Sequence, residues 1–157
     1  MSLRVGIGVD AHALEAGVPL VLGGVQFDHP TGLAGHSDGD VLAHALVDAV
    51  LGAAGLGDIG SLFPSGDERF RGADSIDLLR EAWRQVTDAG WTLVNADCVL
   101  VGEEPRIAAH RGEMRRRLQE AVGEGEVNVR ATTTDRLGFT GRGEGLAAHA
   151  VALLERR

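Results

Sequence analysis

From Leu3 to Val9 apolar side chains alternate with Arg4, Gly6 and Gly8, which predicts a strand because residues two apart share a face. Pro19 to Phe27 carries a second apolar stretch interrupted by Gly23-Gly24, the pattern of a further strand or a hairpin. A turn-rich polar segment, Gly32 to Asp40, separates this β-type third from Val41, Leu42, Ala45, Leu46, Ala49 and Val50. Their spacing is helical, closes near Gly52 to Gly57, and has Ser37 or Asp38 as its natural N-cap. Gly57 to Asp74 reads as a loop rich in Gly, Asp and Pro, after which Ser75 opens a second helix through Leu78, Leu79, Trp83 and Val86, ended by Gly90. Trp91 to Val101 reads as a strand, Ile107 to Val122 as a third helix with Arg115, Arg116 and Arg117 facing outward, and Val127 to Ala131 as a short strand before a turn at 132–135. Leu146 to Leu154 fits a helix by propensity and a strand by alternation, and periodicity leaves both open. Strands interleaved with helices predict one two-layer α/β (α+β) domain over residues 1–157, with helices on one face of a mixed sheet.

Composition narrows the chemistry. At 157 residues and 44% hydrophobic side chains the chain can bury one real core. A formal net charge of -8 argues against nucleic acid and anionic lipid as partners, although a local site can still take a phosphate. No run approaches the roughly 20 apolar residues of a membrane span, and the N-terminus enters a strand pattern without a signal-like apolar block, so a cytoplasmic, unprocessed protein is expected. All fifteen basic residues are Arg, which excludes lysine Schiff bases and Walker-type phosphate loops. The single cysteine, Cys98, sits in a buried-strand pattern and reads as a core residue.

Three segments concentrate polar chemistry. In the turn after the first strand, Asp10-Ala11-His12 places a carboxylate and an imidazole on one side of an extended chain. His44 lies on the first helix with Asp40 and Asp48 four residues either side, so it could take a metal while one of those carboxylates fixes its ring. Three Asp/His/His ligands with an open position suit Zn²⁺ held for a substrate, whereas a surface acid beside an ordinary histidine is the plainer reading of Asp-x-His alone. His36-Ser-Asp-Gly-Asp40 precedes a helix start, where a phosphate can bind, whereas simple N-capping explains Ser37 and Asp38 but leaves His36 unexplained. Ala131-Thr-Thr-Thr-Asp135 follows a strand, and Leu137 to Gly145 combines four glycines with Arg142, a planar phosphate-binding fork. Gly6-Ile-Gly-Val-Asp-Ala11 matches a dinucleotide-binding fingerprint formally, but Gly17, Pro19 and Gly23-Gly24 arrive before any helix, so that reading is rejected.

Taken in order, Asp10-Ala-His12, His36-Ser-Asp-Gly-Asp40, His44-Ala-Leu, Gly57-Asp-Ile-Gly60, Leu62-Phe-Pro64, Gly72-Ala-Asp-Ser75 and Ala131 to Gly145 resemble the 2-C-methyl-D-erythritol 2,4-cyclodiphosphate synthase family, nearly end to end. The resemblance implies a lyase of the non-mevalonate isoprenoid pathway, which turns 4-diphosphocytidyl-2-C-methyl-D-erythritol 2-phosphate into the cyclic 2,4-diphosphate and CMP. It implies Zn²⁺, or another divalent transition metal, on Asp10, His12 and His44. A second ion, Mg²⁺ or Mn²⁺, would sit with the diphosphate near Asp135. By the same resemblance His36 and Thr133 stabilise the transition state. Asp10, Ala11, His12, Ser37, Asp58, Ile59, Gly60, the closing loop Phe63, Pro64, Ser65, Gly66 and Asp67, and Phe139 and Arg142 contact substrate. Gly102, Pro105, Arg106, Ile107, Ala108, Ala131, Thr132, Thr133 and Thr134 form the nucleotide pocket. The family's homotrimers, with sites between subunits, imply that one chain lacks a complete site.

The sequence departs from the family pattern at four places: Asp135 stands where Glu is common, Arg106 where Lys is common, Ser65-Gly66-Asp67 is less acidic than usual, and His149 is atypical near the trimer axis. The residues alone also fit a trimeric nucleotide-binding regulator without turnover, or a trimer stapled by a structural metal.

Overall fold

A computed structural model describes residues 1–156. In chain order the elements are β1 (Ser2–Ala16), β2 (Leu20–Leu22), β3 (Val25–Phe27), β4 (Thr31–Leu33), α1 (Val41–Ala54), α2 (Ile59–Leu62), a 3₁₀ turn (Glu68–Phe70), α3 (Ser75–Asp88), β5 (Thr92–Val101), α4 (Arg111–Val122), β6 (Glu126–Thr132), α5 (Gly138–Gly141) and β7 (Gly145–Arg156). The main sheet runs β4-β1-β7-β5-β6, antiparallel except for the parallel pair β5/β6, and β2 and β3 form a separate hairpin. The expected mixed sheet with interleaved helices is therefore present, and the last segment is a strand paired on both sides.

The layer contact is made by small residues. A Cβ on Gly6 would lie 2.0 Å from the Ala49 carbonyl oxygen, and one on Gly8 1.8 Å from that of Ala45, so the α1 backbone rests directly on β1. This is the role of the glycines that mimic a dinucleotide fingerprint: they admit a helix, not a pyrophosphate. Ala148, Ala150 and Ala152 of β7 are likewise fully buried. Pressed between the sheet and α3, α1 buries eleven of its residues and is apolar nearly all round, as a central core helix should be. The opposite sheet face has no helix over it. Val5 is 69% and Ile7 65% exposed there, with Leu3, Val9 and Val151 also open to solvent.

Four local expectations are corrected. Asp40, not Ser37 or Asp38, caps α1: its fully buried carboxylate accepts Ala43 N–H at 3.1 Å and also the Gly23 and Gly24 N–H groups, at 2.9 and 2.7 Å, from the β2–β3 turn. Asp10 to His12 lie within β1, which runs on to Ala16 instead of turning at Asp10. The loop over 57–74 contains α2 and the 3₁₀ turn, started by the Asp58 and Asp67 side chains; single turns carry no periodicity to read. The third helix begins at Arg111, because residues 107–110 form a turn closed by His110 N–H to Ile107 O, with Ile107 buried. Cys98 is buried as expected, and burial pushes its thiol up to about 12.

Candidate functional site

Strand β1 and helix α1 meet where the glycine contact holds them together, and this brings Asp10, His12 and His44 to one point. His12 Nδ1 lies 3.0 Å and His44 Nδ1 3.1 Å from Asp10 Oδ2, and one donor atom from each residue falls within 4.8 Å of the other two. Burial pushes the Asp10 carboxyl upward, but the two imidazoles facing it prevail and hold it below its usual value. Burial lowers His44 and the Asp10 charge outweighs it, so that ring's affinity for protons is raised.

The arrangement fits a divalent ion. His12 Nδ1 is buried and, although 3.0 Å from Asp10 Oδ2, is not aligned with it for a hydrogen bond, so its polar capacity is left for another partner such as an ion. A tetrahedral ion with bonds of about 2.0 Å separates its donors by roughly 3.3 Å, close to the 3.0 and 3.1 Å between Asp10 Oδ2 and the two ring nitrogens.

The triad opens into a cavity of about 420 Å³, lined also by His36, Ser37, Ile59, Gly60, residues 63–66, Phe70 and Leu78. His36 donates from Nε2 to the Asp67 carbonyl at 2.8 Å, which ties it to the far end of that loop, and Phe63 packs edge-on against Phe70, with ring centroids 5.2 Å apart. Asp58 and Asp67 flank the cavity as caps: Asp58 Oδ1 accepts from Ser61, and Asp67 pairs with Arg69. Ala11, between Asp10 and His12 of β1, is exposed on the other face of the sheet.

Other anticipated residues gather elsewhere. Thr133 and Arg142 line a second cavity of about 620 Å³ with Glu103, Glu104, Arg136 and Thr140. Arg142 is paired with Glu144 at 2.8 Å, and Phe139 stands half exposed beside it on α5. Asp135 has a left-handed backbone (φ 51°), lies 3.4 Å from the Thr133 hydroxyl, and joins no metal-competent cluster among the described residues. Gly102 donates to the Thr132 carbonyl at 3.0 Å, so the chain at 102 and at 132 is adjacent; Pro105 and Arg106 precede buried Ile107, and Ala108 lies with it in the 107–110 turn. His36 and Thr133 thus line different cavities within one chain.

One expectation about His44 fails. Neither Asp40 nor Asp48 fixes its ring: Asp40 is committed to three backbone N–H groups and Asp48 Oδ1 accepts Ile59 N–H at 2.7 Å. The ring instead meets Ser75 Oγ at 2.8 Å and Ser37 Oγ at 3.1 Å through Nε2. Helical spacing alone could not find Ser75, which reaches His44 only because α3 packs on α1.

Residues 3–155 match the model of the YgbB family. The 2-C-methyl-D-erythritol 2,4-cyclodiphosphate synthase of Rubrobacter xylanophilus is 60% identical, over 98% of this chain and 95% of that one. Among solved structures, the bifunctional IspDF of Campylobacter jejuni superposes with a TM-score of 0.95 at 41% identity, covering 99% of this chain, which spans 43% of that longer protein. A 2C-methyl-D-erythritol-2,4-cyclodiphosphate synthase in a CDP-bound form superposes with a TM-score of 0.88 at 40% identity, over 97% of this chain and all of that one.

Proposed function

The chain belongs to the YgbB family, and from that premise we infer that it acts as a phosphorus-oxygen lyase of the non-mevalonate isoprenoid pathway, converting 4-diphosphocytidyl-2-C-methyl-D-erythritol 2-phosphate to 2-C-methyl-D-erythritol 2,4-cyclodiphosphate and CMP. The observation that carries this reading is the convergence of Asp10, His12 and His44 at the mouth of a cavity shared with His36, Ser37 and the 59–66 segment.

In this reaction the substrate's own 2-phosphate oxygen forms a bond to the β-phosphorus while the bond from that phosphorus to CMP breaks. Both reacting groups arrive on one molecule, so catalysis reduces to folding it into line and neutralising charge. Zn²⁺ or a similar transition ion on Asp10, His12 and His44 would polarise the diphosphate, with Mg²⁺ or Mn²⁺ near Asp135 as a second counter-charge. Ser37 and the backbone of Ile59 and Gly60 bind the methylerythritol phosphate end, and Asp58 shapes that turn. His36, fixed by the Asp67 carbonyl, presents its ring to the reacting phosphates, and Phe63 to Asp67 exclude water over them. Thr133 contributes its hydroxyl, and the 102–108 and 131–134 segments take cytosine, ribose and phosphate.

The two sets of groups occupy separate cavities, so the complete site forms between copies, and a homotrimer is the assembly we propose. The helix-free sheet face supports it: Leu3, Val5, Ile7 and Val9 make an apolar stripe that association would cover, with His149 opposite Val9 on β7. A cytoplasmic setting agrees with the chemistry proposed, and no helix among the described residues is long and apolar enough to cross a membrane.

The test is phosphorus NMR of the protein with the cytidyl substrate and Mg²⁺, before and after Zn²⁺ chelation. Cyclic diphosphate and CMP should appear, be lost on chelation, and be absent for His44→Ala. Intact substrate with CMP still bound would instead favour a nucleotide-binding regulator.

A further inference from the structure

We propose that Ser75 and Asp38 are positioning residues that hold His44 in one tautomer, with the proton on Nε2 and the lone pair of Nδ1 aimed at the metal point. This rests on reading Asp10, His12 and His44 as a metal site.

The proton inventory leads to this assignment. The Asp38 carboxylate can only accept hydrogen bonds. Its Oδ2 accepts Ser75 N–H at 3.0 Å, and its Oδ1 accepts the Ser75 hydroxyl and Asp40 N–H. A serine hydroxyl has one hydrogen, and that hydrogen is committed to Asp38. Ser75 Oγ can therefore only accept from its other neighbour, His44 Nε2 at 2.8 Å. A neutral imidazole that donates from Nε2 keeps an unprotonated Nδ1 for an ion. Nδ1 also lies 3.1 Å from Asp10 Oδ2, itself only an acceptor, so Ser75 and Asp10 compete for the single proton of a neutral ring, and the pair of Asp38 and buried Ser75 takes it.

Burial gives the relay force. Ser75 is fully buried and His44 nearly so, so the Ser75 hydroxyl has no solvent partner to turn to. Capping does not account for the serine: Asp74 caps α3, accepting Ile76 N–H at 2.9 Å. Metal-bound histidines usually donate their second nitrogen to a carboxylate or carbonyl, which fixes the ring and strengthens it as a ligand. Here a carboxylate does so through an intervening hydroxyl, and the Gly72-Ala-Asp-Ser75 motif gains a role that the substrate contacts leave unfilled. Ser37, also 3.1 Å from Nε2, shares the same N–H from the cavity side.

The experiment has two readouts, neither of them turnover. The first is the ¹⁵N spectrum of the His44 ring in metal-free protein, above the pH where the ring titrates. The second is Zn²⁺ affinity, by competition with a chromophoric chelator. Wild type should show the Nε2–H form. Ser75→Ala should shift the ring toward Nδ1–H, donating to Asp10, and weaken Zn²⁺ binding by about 10- to 100-fold, with Ser75→Thr recovering both. Should Ser75→Ala fail to fold, Asp38→Asn carries the same comparison, with a smaller loss expected because a neutral amide still accepts from the hydroxyl. An Nδ1–H ring in wild type, or Zn²⁺ affinity in Ser75→Ala within two-fold of wild type, overturns the proposal. A wild type that binds no Zn²⁺ yet shows the Nε2–H form refutes the metal site while supporting the relay.

Discussion

Replacing Gly8 by Ala adds one methyl group, at the position where β1 and α1 are closest. That carbon would lie 1.8 Å from the Ala45 carbonyl oxygen and 2.8 Å from its carbonyl carbon. An ordinary C···O contact needs about 3.3 Å, so the helix backbone must retreat by about 1.5 Å. Because α1 is held from behind by α3, the strain spreads into the core, and overpacking of this kind costs about 3 kcal/mol. For a domain of this size that lowers the melting temperature by roughly 6–12 °C. The same displacement separates His44, next to Ala45 on the helix, from Asp10 and His12 on the strand. Metal sites tolerate errors of only about 0.2 Å in ligand distance, so Zn²⁺ affinity should fall by more than about ten-fold. Gly52→Ala is the control: this exposed glycine also lies on α1, but a Cβ there meets nothing nearer than the Ile7 carbonyl oxygen at 4.0 Å. Ala at that position should stabilise the helix by about 1 kcal/mol and leave metal binding alone. Calorimetry and Zn²⁺ competition on the two variants decide the matter. A Gly8→Ala protein that melts with wild type and binds Zn²⁺ as tightly would refute the claim that strand glycines set the metal geometry.

Ile7→Glu places a charge in the exposed apolar stripe; sedimentation should then show monomers that still bind Zn²⁺ but lose turnover, and an active monomer would sink the shared-site reading. Burial and the neighbouring Asp38 push Asp40 up to about 6 despite its three N–H donors, so the folded chain holds that proton more tightly than the unfolded one, whose value is about 3.9. Ionised Asp40 therefore opposes folding: the penalty is absent below about pH 4, grows to about pH 6 and is complete above it. In urea titrations the stability of wild type relative to Asp40→Asn should drop by about 3 kcal/mol between pH 4 and 7, and a pH-independent gap would refute it. Cys98 should resist a thiol reagent at pH 8 until the chain unfolds, since it is buried and its thiol is pushed up to about 12; rapid labelling of native protein would show that β5 opens locally.

The parts of this fold that were legible in the sequence are those encoded by local periodicity. The α1 and α3 stripes, the alternation of β1, and the turn residues after Thr132 all write their geometry into near neighbours. Asp10 and His12 were readable as a pair because strand alternation puts them on one side whichever way the chain continues, and β1 continues straight through them. What failed were assignments that needed a partner distant in sequence. Asp40 looked like a ring-fixing acid because it lies four residues from His44, yet its carboxylate is taken by Gly23 and Gly24, seventeen and sixteen residues away. Asp38 looked like a helix cap, yet it accepts both the N–H and the hydroxyl of Ser75, thirty-seven residues on. In both cases the carboxylate serves as a tertiary clamp at the head of α1, and no spacing rule distinguishes a clamp from a cap. Gly6 and Gly8 show the same ambiguity in backbone: one short motif can admit a pyrophosphate or a helix, and only the packed α1 decides. The Asp10, His12 and His44 cluster was accessible to sequence reasoning because two of its members are local. The Ser75 contact to the third member, His44, spans thirty-one residues, so the division between the cluster and the groups around it follows the division between local and long-range contact.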